Sequence, residues 1–386
     1  MTFEFDEKME QVARIKVVGI GGGGGNAVNT MIAAQIDGVE FIVANTDAQA
    51  LKANQAPMRV QLGSRLTKGL GAGANPEVGR DAAEEDRTRL IELLQGADMV
   101  FIAAGLGGGT GTGAAPVIAE VAREVGALTV AVVTKPFGFE GKQRMGKAEQ
   151  GVEELKKVVD SLILIPNDRL SGLAGKKMGI LDAFRPADDV LRQAVQGISD
   201  LITTHGMINV DFADVKAAMS ERGMAMMGIG LAEGENRAVQ AAQQAISSPL
   251  LEDIDISGAK GVLVNVTGSS SMTMDDYQEV ANIIHEKVHE DANIFIGLVI
   301  NEAMGEKIQV TAIATGFGSS FEKARRPPIE KNPFGSDCTI RGTDLDVPTH
   351  IRKQSSPDRP RAAMRMNGGF ADEEFEIPTF LRKRVD

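Results

Sequence analysis

In the first half of the chain, short apolar runs alternate with longer runs whose apolar residues recur every three to four positions. The short runs predict buried strands, and the longer ones predict amphipathic helices. The predicted strands are 14–19, 40–44, 58–62, 98–103, 128–134 and 162–166. The predicted helices are 27–34, 77–94, 114–125 and 142–159. This alternation predicts an α/β fold with a doubly wound parallel sheet, whose ligands lie at the carboxyl ends of the strands.

The second half begins with a long helical stretch and then returns to alternation. The long helix is predicted at 182–204. Strands follow at 225–231, 261–266, 294–299 and 308–315, with helices at 237–246 and 275–289. This pattern predicts a second α/β domain.

Beyond residue 318 the apolar periodicity stops. Seven of the 14 prolines lie there, among Ser, Asn, Gly and Arg, which is the composition of a disordered linker. The predicted segments are a flexible N-terminus at 1–13, a first domain at 14–181, a central helix and connection at 182–208, a second domain at 209–318, a linker at 319–375 and a terminal peptide at 376–386.

Length and charge set limits on the class of protein. A chain of 386 residues with 43% hydrophobic content holds about two domains on the usual length prior. The net charge is −12, although residues 319–386 carry 13 basic and 11 acidic side chains, so the acidic excess belongs to the body. An acidic body is a poor match for a phosphate backbone, and we expect no direct nucleic-acid binding.

The sequence suggests neither a targeting segment nor cysteine-based chemistry. The first dozen residues are acidic, and no apolar run approaches the roughly 20 residues that span a bilayer, so a cytoplasmic protein is expected. The single cysteine, Cys338, excludes an internal disulfide and a cysteine-based metal site.

The most informative motif is Gly-Gly-Gly-Thr-Gly-Thr-Gly at 107–113. It follows a predicted buried strand and leads directly into an apolar helix. A flexible linker is also rich in glycine, but it does not sit tightly between a strand and a helix. Because free N–H groups and the helix dipole favour an anion at such a helix start, the motif predicts a phosphate-binding loop.

Two more glycine-rich segments follow predicted strands. Residues 19–26 match the G-x-G-x-x-G dinucleotide fingerprint, and Asp47 at the end of the second strand is a candidate for its acidic partner. A nicotinamide-dependent oxidoreductase is therefore one alternative. It leaves the loops at 107–113 and 69–76 without a role, and three such loops suit a triphosphate better. The chain has no G-x-x-x-x-G-K-[ST] motif, which disfavours the P-loop class.

One motif indicates different chemistry. His285, Glu286 and His289 match H-E-x-x-H, the zinc-binding helix of metalloproteases. The chain has four histidines, and no companion ligand motif follows. A charged, solvated helix face explains the match better than a zinc site.

Taken in order, the segments 22–26, 45–47, 71–76, 107–113, 136–140 and 209–214 closely resemble the motifs of the FtsZ family, the bacterial tubulin-like cell-division GTPases. The resemblance covers 14–318 and returns in the last ten residues. It implies a tubulin-like fold: a Rossmann-type GTP-binding domain, a long central helix and a second α/β domain with a mostly β sheet. A different tubulin-like cytoskeletal GTPase is a further alternative, but it leaves the terminal peptide without a role.

The resemblance implies GTP or GDP as ligand, with Mg²⁺ bound mainly through the phosphates and no protein metal site. The residues expected at the phosphates are Gly22, Gly23, Gly24, Gly25, Asn26, Gly108, Gly109, Thr110, Gly111 and Thr112, with Asn45, Ala72, Gly73 and Ala74 near the terminal one. Glu140 and Arg144 are expected at the ribose. Asn167 and Asp188 can accept from the donors on guanine, and Phe184 has the character to stack on its ring.

The segment 209–214 carries the expected catalytic residues. Asp211 and Asp214 are three residues apart at an apparent helix start, where the first can simply cap the helix, and that interpretation stays open. The resemblance implies that Asn209 and the two acids enter the nucleotide site of the next subunit and orient the attacking water. Hydrolysis then needs two subunits of a head-to-tail polymer.

The last residues, 376–386, place apolar anchors between acidic and basic flanks at the end of the predicted linker. Such a segment is typical of a peptide that folds onto a groove, although a frayed end is also possible. The resemblance implies docking of membrane-tethering and regulatory division proteins. We therefore expect assembly at the division site, with the membrane reached only through partners.

Overall fold

The computed structural model describes residues 13–171, 180–204, 208, 210–220, 223–251, 258–289 and 291–317. The predicted N-terminal segment up to residue 12, the linker, the terminal peptide, Asn209 and Cys338 lie outside these ranges. In the described ranges, no helix has both the length and the apolar character needed to cross a membrane.

The described strands form one mixed sheet of ten. Its strands are β1 (Ile15–Ile20), β2 (Val39–Asn45), β3 (Met58–Gln61), β4 (Met99–Gly105), β5 (Leu128–Lys135), β6 (Ser161–Pro166), β7 (Gly223–Ala232), β8 (Gly261–Gly268), β9 (Asn293–Ile300) and β10 (Ile308–Thr315). All ten overlap strands predicted from the sequence.

The helices of the described residues cover both faces of this sheet. They are α1 (Gly21–Ala33), α2 (Ala48–Ala53), α3 (Ser64–Thr67), α4 (Pro76–Glu85), α5 (Arg87–Leu94), α6 (Thr110–Glu124), α7 (Lys142–Val158), α8 (Asn167–Ser171), α9 (Ile180–Thr203), α10 (Phe212–Met219), α11 (Arg237–Ile246) and α12 (Met274–Lys287). Short 3-10 helices lie at Gly138–Glu140 and Glu302–Met304.

The strand order is β3-β2-β1-β4-β5-β6-β7-β10-β8-β9. Strands β1 to β6 are parallel, and their order is that of a doubly wound Rossmann sheet. Strand β10 runs antiparallel to both β7 and β8, so the far end of the sheet is mixed. The order reverses between β1 and β4, and such a switch point opens a crevice for ligands at the carboxyl ends of these strands.

Both faces of the parallel strands are buried, which explains their continuous apolar sequences. Val17 and Phe101 belong to the core under α1 and α9, whereas their neighbours Val18 and Ile102 belong to the core under α4, α5 and α6. A third core joins β7 to β10 with α11 and α12. The two faces of the parallel strands therefore hold separate layers of helices in place around the switch point.

Two helices begin earlier than the sequence pattern predicts. Helix α1 begins at Gly21 rather than residue 27, and α6 begins at Thr110 rather than residue 114. The glycines assigned to loops therefore form the first turns of these helices. The predicted helix 77–94 is instead two helices, because Asp86 leaves the helical conformation and accepts a hydrogen bond from the Gly63 N–H at 2.7 Å.

Helix α9 is the long central helix expected from the sequence, with 24 residues. It contacts α1 and β5 on one side and β8, β9 and α10 on the other. The Asn265 side chain of β8 donates to the Gly197 carbonyl of α9 at 3.0 Å. The helix thus connects the parallel strands to the mixed end of the sheet.

Close packing of α6 on α4 gives the first prediction. A Cβ at Gly113 would overlap the carbonyl oxygen of Pro76, so Gly113→Ala is expected to lower the free energy of unfolding by about 1–3 kcal/mol. Gly146 lies inside α7 with no atom within 4 Å of an added Cβ. Gly146→Ala should therefore raise the free energy of unfolding by about 0.5–1 kcal/mol. Urea unfolding of both variants checks the opposite signs, and two changes of equal sign would contradict the packing argument.

Candidate functional site

The N-termini of α1 and α6 meet at the switch point, each at the end of a central strand. A Cβ added to Gly21 would lie 3.0 Å from the amide nitrogen of Gly111. Neither helix has a side-chain cap at its N-terminus, and neither has an acidic residue in its first turn. Two sets of helix N–H groups therefore converge without a local carboxylate, which favours binding of an anion.

The residues expected at the phosphates fall into two groups by their surroundings. Positions Gly22 and Gly108 face open space, since an added Cβ would meet no atom within 4 Å. Gly24 and Gly111 instead pack against the carbonyl oxygens of Ala103 and Gly105. The first pair leaves room for a ligand, and the second pair lets the helices approach the strands.

Thr112 is buried, and its hydroxyl accepts a hydrogen bond from the Gly107 N–H at 2.8 Å. Its side chain thus shapes the turn at 107–109. The Thr110 hydroxyl is 2.6 Å from that of Thr46, a residue that the motif analysis did not single out. Thr46 follows β2, so this pair fixes the second strand end against the start of α6.

Asn45 and Asp47 make local hydrogen bonds at the end of β2. The buried Asn45 side chain accepts from the Asp47 N–H at 3.2 Å. The Asp47 carboxylate caps α2 by accepting from the Gln49 N–H at 2.8 Å. Asp47 is thus occupied as a helix cap, which accounts for the acidic residue at the end of the second strand.

The loop before α4 has an unusual backbone. Gly71, Gly73 and Ala74 all have positive φ, at 88°, 57° and 57°. Position Gly73 faces open space. Turns that contain left-handed residues can form anion-binding concavities from backbone N–H groups. Asn75 ends the loop as the cap of α4 and accepts from the Glu77 N–H at 3.1 Å.

Beside the two helix starts lies a cavity of about 220 Å³, which we call the base cavity. Its lining combines expected site residues with others from α9 and from the ends of β4 and β5. The lining residues are Gly23, Asn26, Gly105, Leu106, Thr134, Pro136, Glu140, Arg144, Asn167, Phe184, Ala187, Asp188 and Leu191. The structure thus brings together the residues expected at the ribose and the base, next to one of the glycine segments.

Two side-chain acceptors, those of Asn167 and Asp188, line this cavity. Asn167 is 5% exposed, and its side-chain oxygen has no hydrogen-bond partner. Burial raises the pKa of the Asp188 carboxyl to about 6. An unpartnered buried oxygen and a desolvated carboxylate both cost free energy, so both groups are suited to a ligand that brings adjacent N–H donors. Guanine presents such donors, and adenine does not.

Aromatic side chains flank the same cavity. Phe184 is 41% exposed and meets Phe137 edge to face, with ring centroids 5.3 Å apart. Phe137 stacks on Phe139 at 4.9 Å, and Phe139 is 72% exposed. Phe184 is therefore held by one neighbour and keeps a surface that a flat base can cover.

The ribose residues are paired with each other. Glu140 accepts from the Phe137 N–H at 2.8 Å, and its other oxygen lies 2.8 Å from the Arg144 guanidinium. Asp168, which the motif analysis did not identify, accepts from the Gly138 N–H at 2.9 Å. Its position one residue after Asn167 at a strand end was the available signal. These bonds hold the loop 136–141 over the cavity.

Asp211 and Asp214 do not line the base cavity. Asp211 is exposed and caps α10, where its carboxylate accepts from the Asp214 N–H at 2.7 Å. Helix α10 packs on α9, β8 and β9. The capping interpretation of Asp211 therefore matches the structure, and it leaves the second carboxylate oxygen and Asp214 available at a surface.

The H-E-x-x-H match does not form a metal site. The Nδ1 atom of His289 accepts from the Asp291 N–H at 3.2 Å and lies 3.6 Å from the Asp291 carboxylate. Within the ranges that the structure describes, no three His, Cys, Asp or Glu side chains are grouped to hold a metal ion.

Comparison with known proteins gives two family matches. The model described as the Tubulin/FtsZ family, GTPase domain, matches residues 14–175. The model described as the FtsZ family, C-terminal domain, matches residues 223–318. The unmatched stretch between them contains α9 and α10.

Individual relatives support the same family. A "Cell division protein FtsZ" from Wigglesworthia glossinidia brevipalpis is 58% identical over 378 residues, or 97% of each chain. Another from Coxiella burnetii is 52% identical over 383 residues, or 99% of each. The solved structure of an FtsZ dimer from M. jannaschii is 46% identical, covers 80% of this chain and 89% of its own, and superposes with a TM-score of 0.77.

Fold, site and comparisons together define a tubulin-type nucleotide-binding protein that acts as a GTPase. The chain belongs to the FtsZ family of cell division proteins. The resemblance seen in the motifs is confirmed. The ligand of this protein is GTP or GDP. The nicotinamide-dependent oxidoreductase is not favoured. The unpartnered Asn167 oxygen and the open space at Gly22, Gly73 and Gly108 fit a guanine nucleotide.

The raised pKa of Asp188 predicts a pH dependence of nucleotide binding. The expected contact with guanine N–H groups would stabilise the Asp188 carboxylate, so the pKa of Asp188 would be lower in the nucleotide complex and binding is expected to be strongest above about pH 6. Between pH 7 and pH 5 the affinity for GDP should fall by roughly tenfold because of Asp188 alone. Calorimetric titration with GDP at several pH values measures this change in affinity.

Asp188→Asn is the control for this measurement, because the phosphates of GDP titrate in the same range. The variant should bind more weakly at pH 7 and keep only the phosphate contribution to the pH dependence. Equal pH profiles in the two proteins would show that Asp188 does not contact the base.

Proposed function

We propose that this protein polymerises head to tail into filaments that form the cell-division ring, and that it hydrolyses GTP where one subunit meets the next. The expected binding residues act within one chain, as assigned above to phosphates, ribose and base. Asn209, Asp211 and Asp214 of the next subunit complete the site. The domain limits at 181, 208 and 318 belong to the same proposal.

One observation carries this proposal: the base cavity and the paired acids lie on different parts of the chain. The acidic residues that line the cavity are Glu140 and Asp188. Glu140 is bound to Arg144, and Asp188 lies beside the unpartnered Asn167, where the base is expected. On the expected placement, both are engaged away from the terminal phosphate, whereas Asp211 and Asp214 do not line the cavity and belong to the start of α10.

A contact between two different surfaces of the same chain is heterologous, and it repeats without closing unless the rotation forms a ring. The nucleotide face on one subunit and the α10 face on the next form such a contact. Binding of GTP at this contact then links assembly to nucleotide state, and hydrolysis follows only after assembly.

Hydrolysis of GTP depends mainly on positioning and on stabilising charge. We infer that the helix N–H groups at 21–25 and 108–111 hold the phosphates, while the acids of the next subunit orient and polarise the attacking water. No acidic cluster for a metal exists among the described residues. We infer that Mg²⁺ would be held mainly by the phosphates, where it would supply charge neutralisation.

The terminal peptide at 376–386 completes the proposal. Its apolar residues between charged flanks suit a groove on a membrane-tethering or regulatory partner. A linker of this composition provides reach between the filament and such a partner. The filament is thus expected under the membrane at the division site.

The shared site predicts a specific loss of turnover. Asp211→Asn and Asp214→Asn should each keep GTP affinity and lower turnover per subunit by about a hundredfold or more, the lower end of the range for loss of a positioned acid–base side chain. Asn is also a good helix cap, so α10 should stay folded. Asp275→Asn, a first-turn acid on α12, is the matched control and should leave turnover unchanged. Phosphate release measured against protein concentration gives the result, with pelleting in parallel.

Mixing two inactive variants tests the sharing directly. Asp214→Asn supplies an intact nucleotide site, and the double variant Asn167→Ala, Asp188→Ala supplies intact acids. In random copolymers of a heterologous contact, about a quarter of the interfaces combine both intact halves, so the mixture should recover up to about a quarter of wild-type turnover. Full turnover in dilute wild-type monomer, or no recovery in copolymers that do form, would rule out the shared site.

A further inference from the structure

Helix α7 faces the loop 71–75 across a cavity of about 400 Å³. The loop and α4 contribute Asn75, Glu77 and Arg80 to its walls, and α7 contributes Lys147, Gln150 and Glu154. Loop and helix are thus separated by space in this region rather than packed together. Their relative position depends on the side chains that cross that space.

Lys147 crosses it. Its ammonium group donates a hydrogen bond to the carbonyl oxygen of Ala74 at 2.6 Å. A charged donor makes this bond stronger than one between neutral groups. The other basic residue on this cavity, Arg80, lies on α4 and is 3.9 Å from Glu154 of α7. Lys147 is therefore the residue that connects α7 directly to the backbone of the loop.

The residue that Lys147 holds is in a conformation that needs support. Ala74 has φ of 57°, in the left-handed region that a Cβ disfavours. Such a conformation persists when the surroundings over-determine it. Gly71 and Gly73 of the same loop also have positive φ, but glycine has no Cβ and adopts this conformation readily. The bond from Lys147 fixes the loop at the residue where the backbone is least relaxed.

The same face of α7 also contacts the second phosphate loop. A Cβ at Gly107 would lie 2.8 Å from the backbone carbonyl oxygen of Arg144, so the two backbones touch. Arg144 and Lys147 are three residues apart, which places them on one face of the helix. One turn of α7 therefore holds both the loop 107–109 and the loop 71–75.

We propose that Lys147 is a positioning residue for GTP over GDP: it holds the loop 71–75 in the conformation that receives the terminal phosphate. This rests on the proposed placement of Ala72, Gly73 and Ala74 at that phosphate. Lys147 acts through the loop and does not touch the reacting atoms. Because GDP lacks the phosphate that the loop receives, Lys147 contributes to the affinity for GTP and little to that for GDP.

The test compares Lys147→Met with the wild type, with Lys147→Arg and with Lys156→Met. Lys156 is an exposed lysine in the last turn of the same helix and serves as the matched control. Affinities for GDP and for a slowly hydrolysed GTP analogue are measured by calorimetry at a concentration where sedimentation shows monomer. Backbone hydrogen exchange of residues 71–76 is measured in the nucleotide-free and bound protein.

Lys147→Met should weaken binding of the GTP analogue by about three- to tenfold, the range for loss of one ordinary hydrogen bond, because this bond is exposed to solvent, with GDP affinity nearly unchanged. Exchange at 71–76 should be faster in the nucleotide-free variant. Lys147→Arg should restore most of the selectivity, and Lys156→Met should match the wild type.

Three results overturn the proposal. Wild-type selectivity and exchange in Lys147→Met would show that the bond does not position the loop. Equal weakening of both nucleotides, with a lower thermal midpoint, would show a structural role only. If the GTP analogue protects the wild-type loop no better than GDP does, the placement of the loop at the terminal phosphate is wrong, and the premise fails independently of Lys147.

Discussion

Two helices begin against the backbone of the central strands because no side chain separates them. Gly24 of α1 lies against the Ala103 carbonyl of β4, and Gly111 of α6 lies against the Gly105 carbonyl. This close approach brings both helix N-termini to the point where the strand order reverses. Any larger residue at these positions would push a helix away from the sheet and separate the two sets of N–H groups. The anion-binding geometry therefore depends on packing before it depends on any ligand contact.

The rest of the site is arranged around that approach. Strands β5 and β6 end beside it and position Glu140 and Asn167, while α9 brings Phe184 and Asp188 over the same cavity. Gly23 and Asn26 of α1 line one part of this cavity, and Asn167 and Asp188 of α8 and α9 line another. On the expected placement of the nucleotide, the helix starts bind the phosphates, and Asn167 and Asp188 provide selectivity for guanine.

Periodicity predicted the strands and the long helix, whereas the residues around the cavity were indicated by the family resemblance. Periodicity misplaced the starts of α1 and α6, because glycine disfavours helix locally and only tertiary packing reverses that preference. The break at Asp86 depends on a bond to Gly63, which lies 23 residues away and has no local signal. Lys147 and Thr46 were missed for the same reason, since their partners Ala74 and Thr110 are distant in sequence.

Separation of the acids from the nucleotide has an electrostatic rationale. Carboxylates beside a triphosphate repel it, and the repulsion is strong where water is excluded. A chain that carried Asp211 and Asp214 at its own phosphates would therefore bind GTP less well. On the proposed arrangement, the acids face solvent on α10 in the monomer, and the unfavourable approach occurs only when an interface forms and its buried surface offsets the cost. Loss of the terminal phosphate as inorganic phosphate then relieves part of that repulsion and also removes the ligand of the loop 71–75, so a weaker contact after hydrolysis has to come from the loop rather than from the charges.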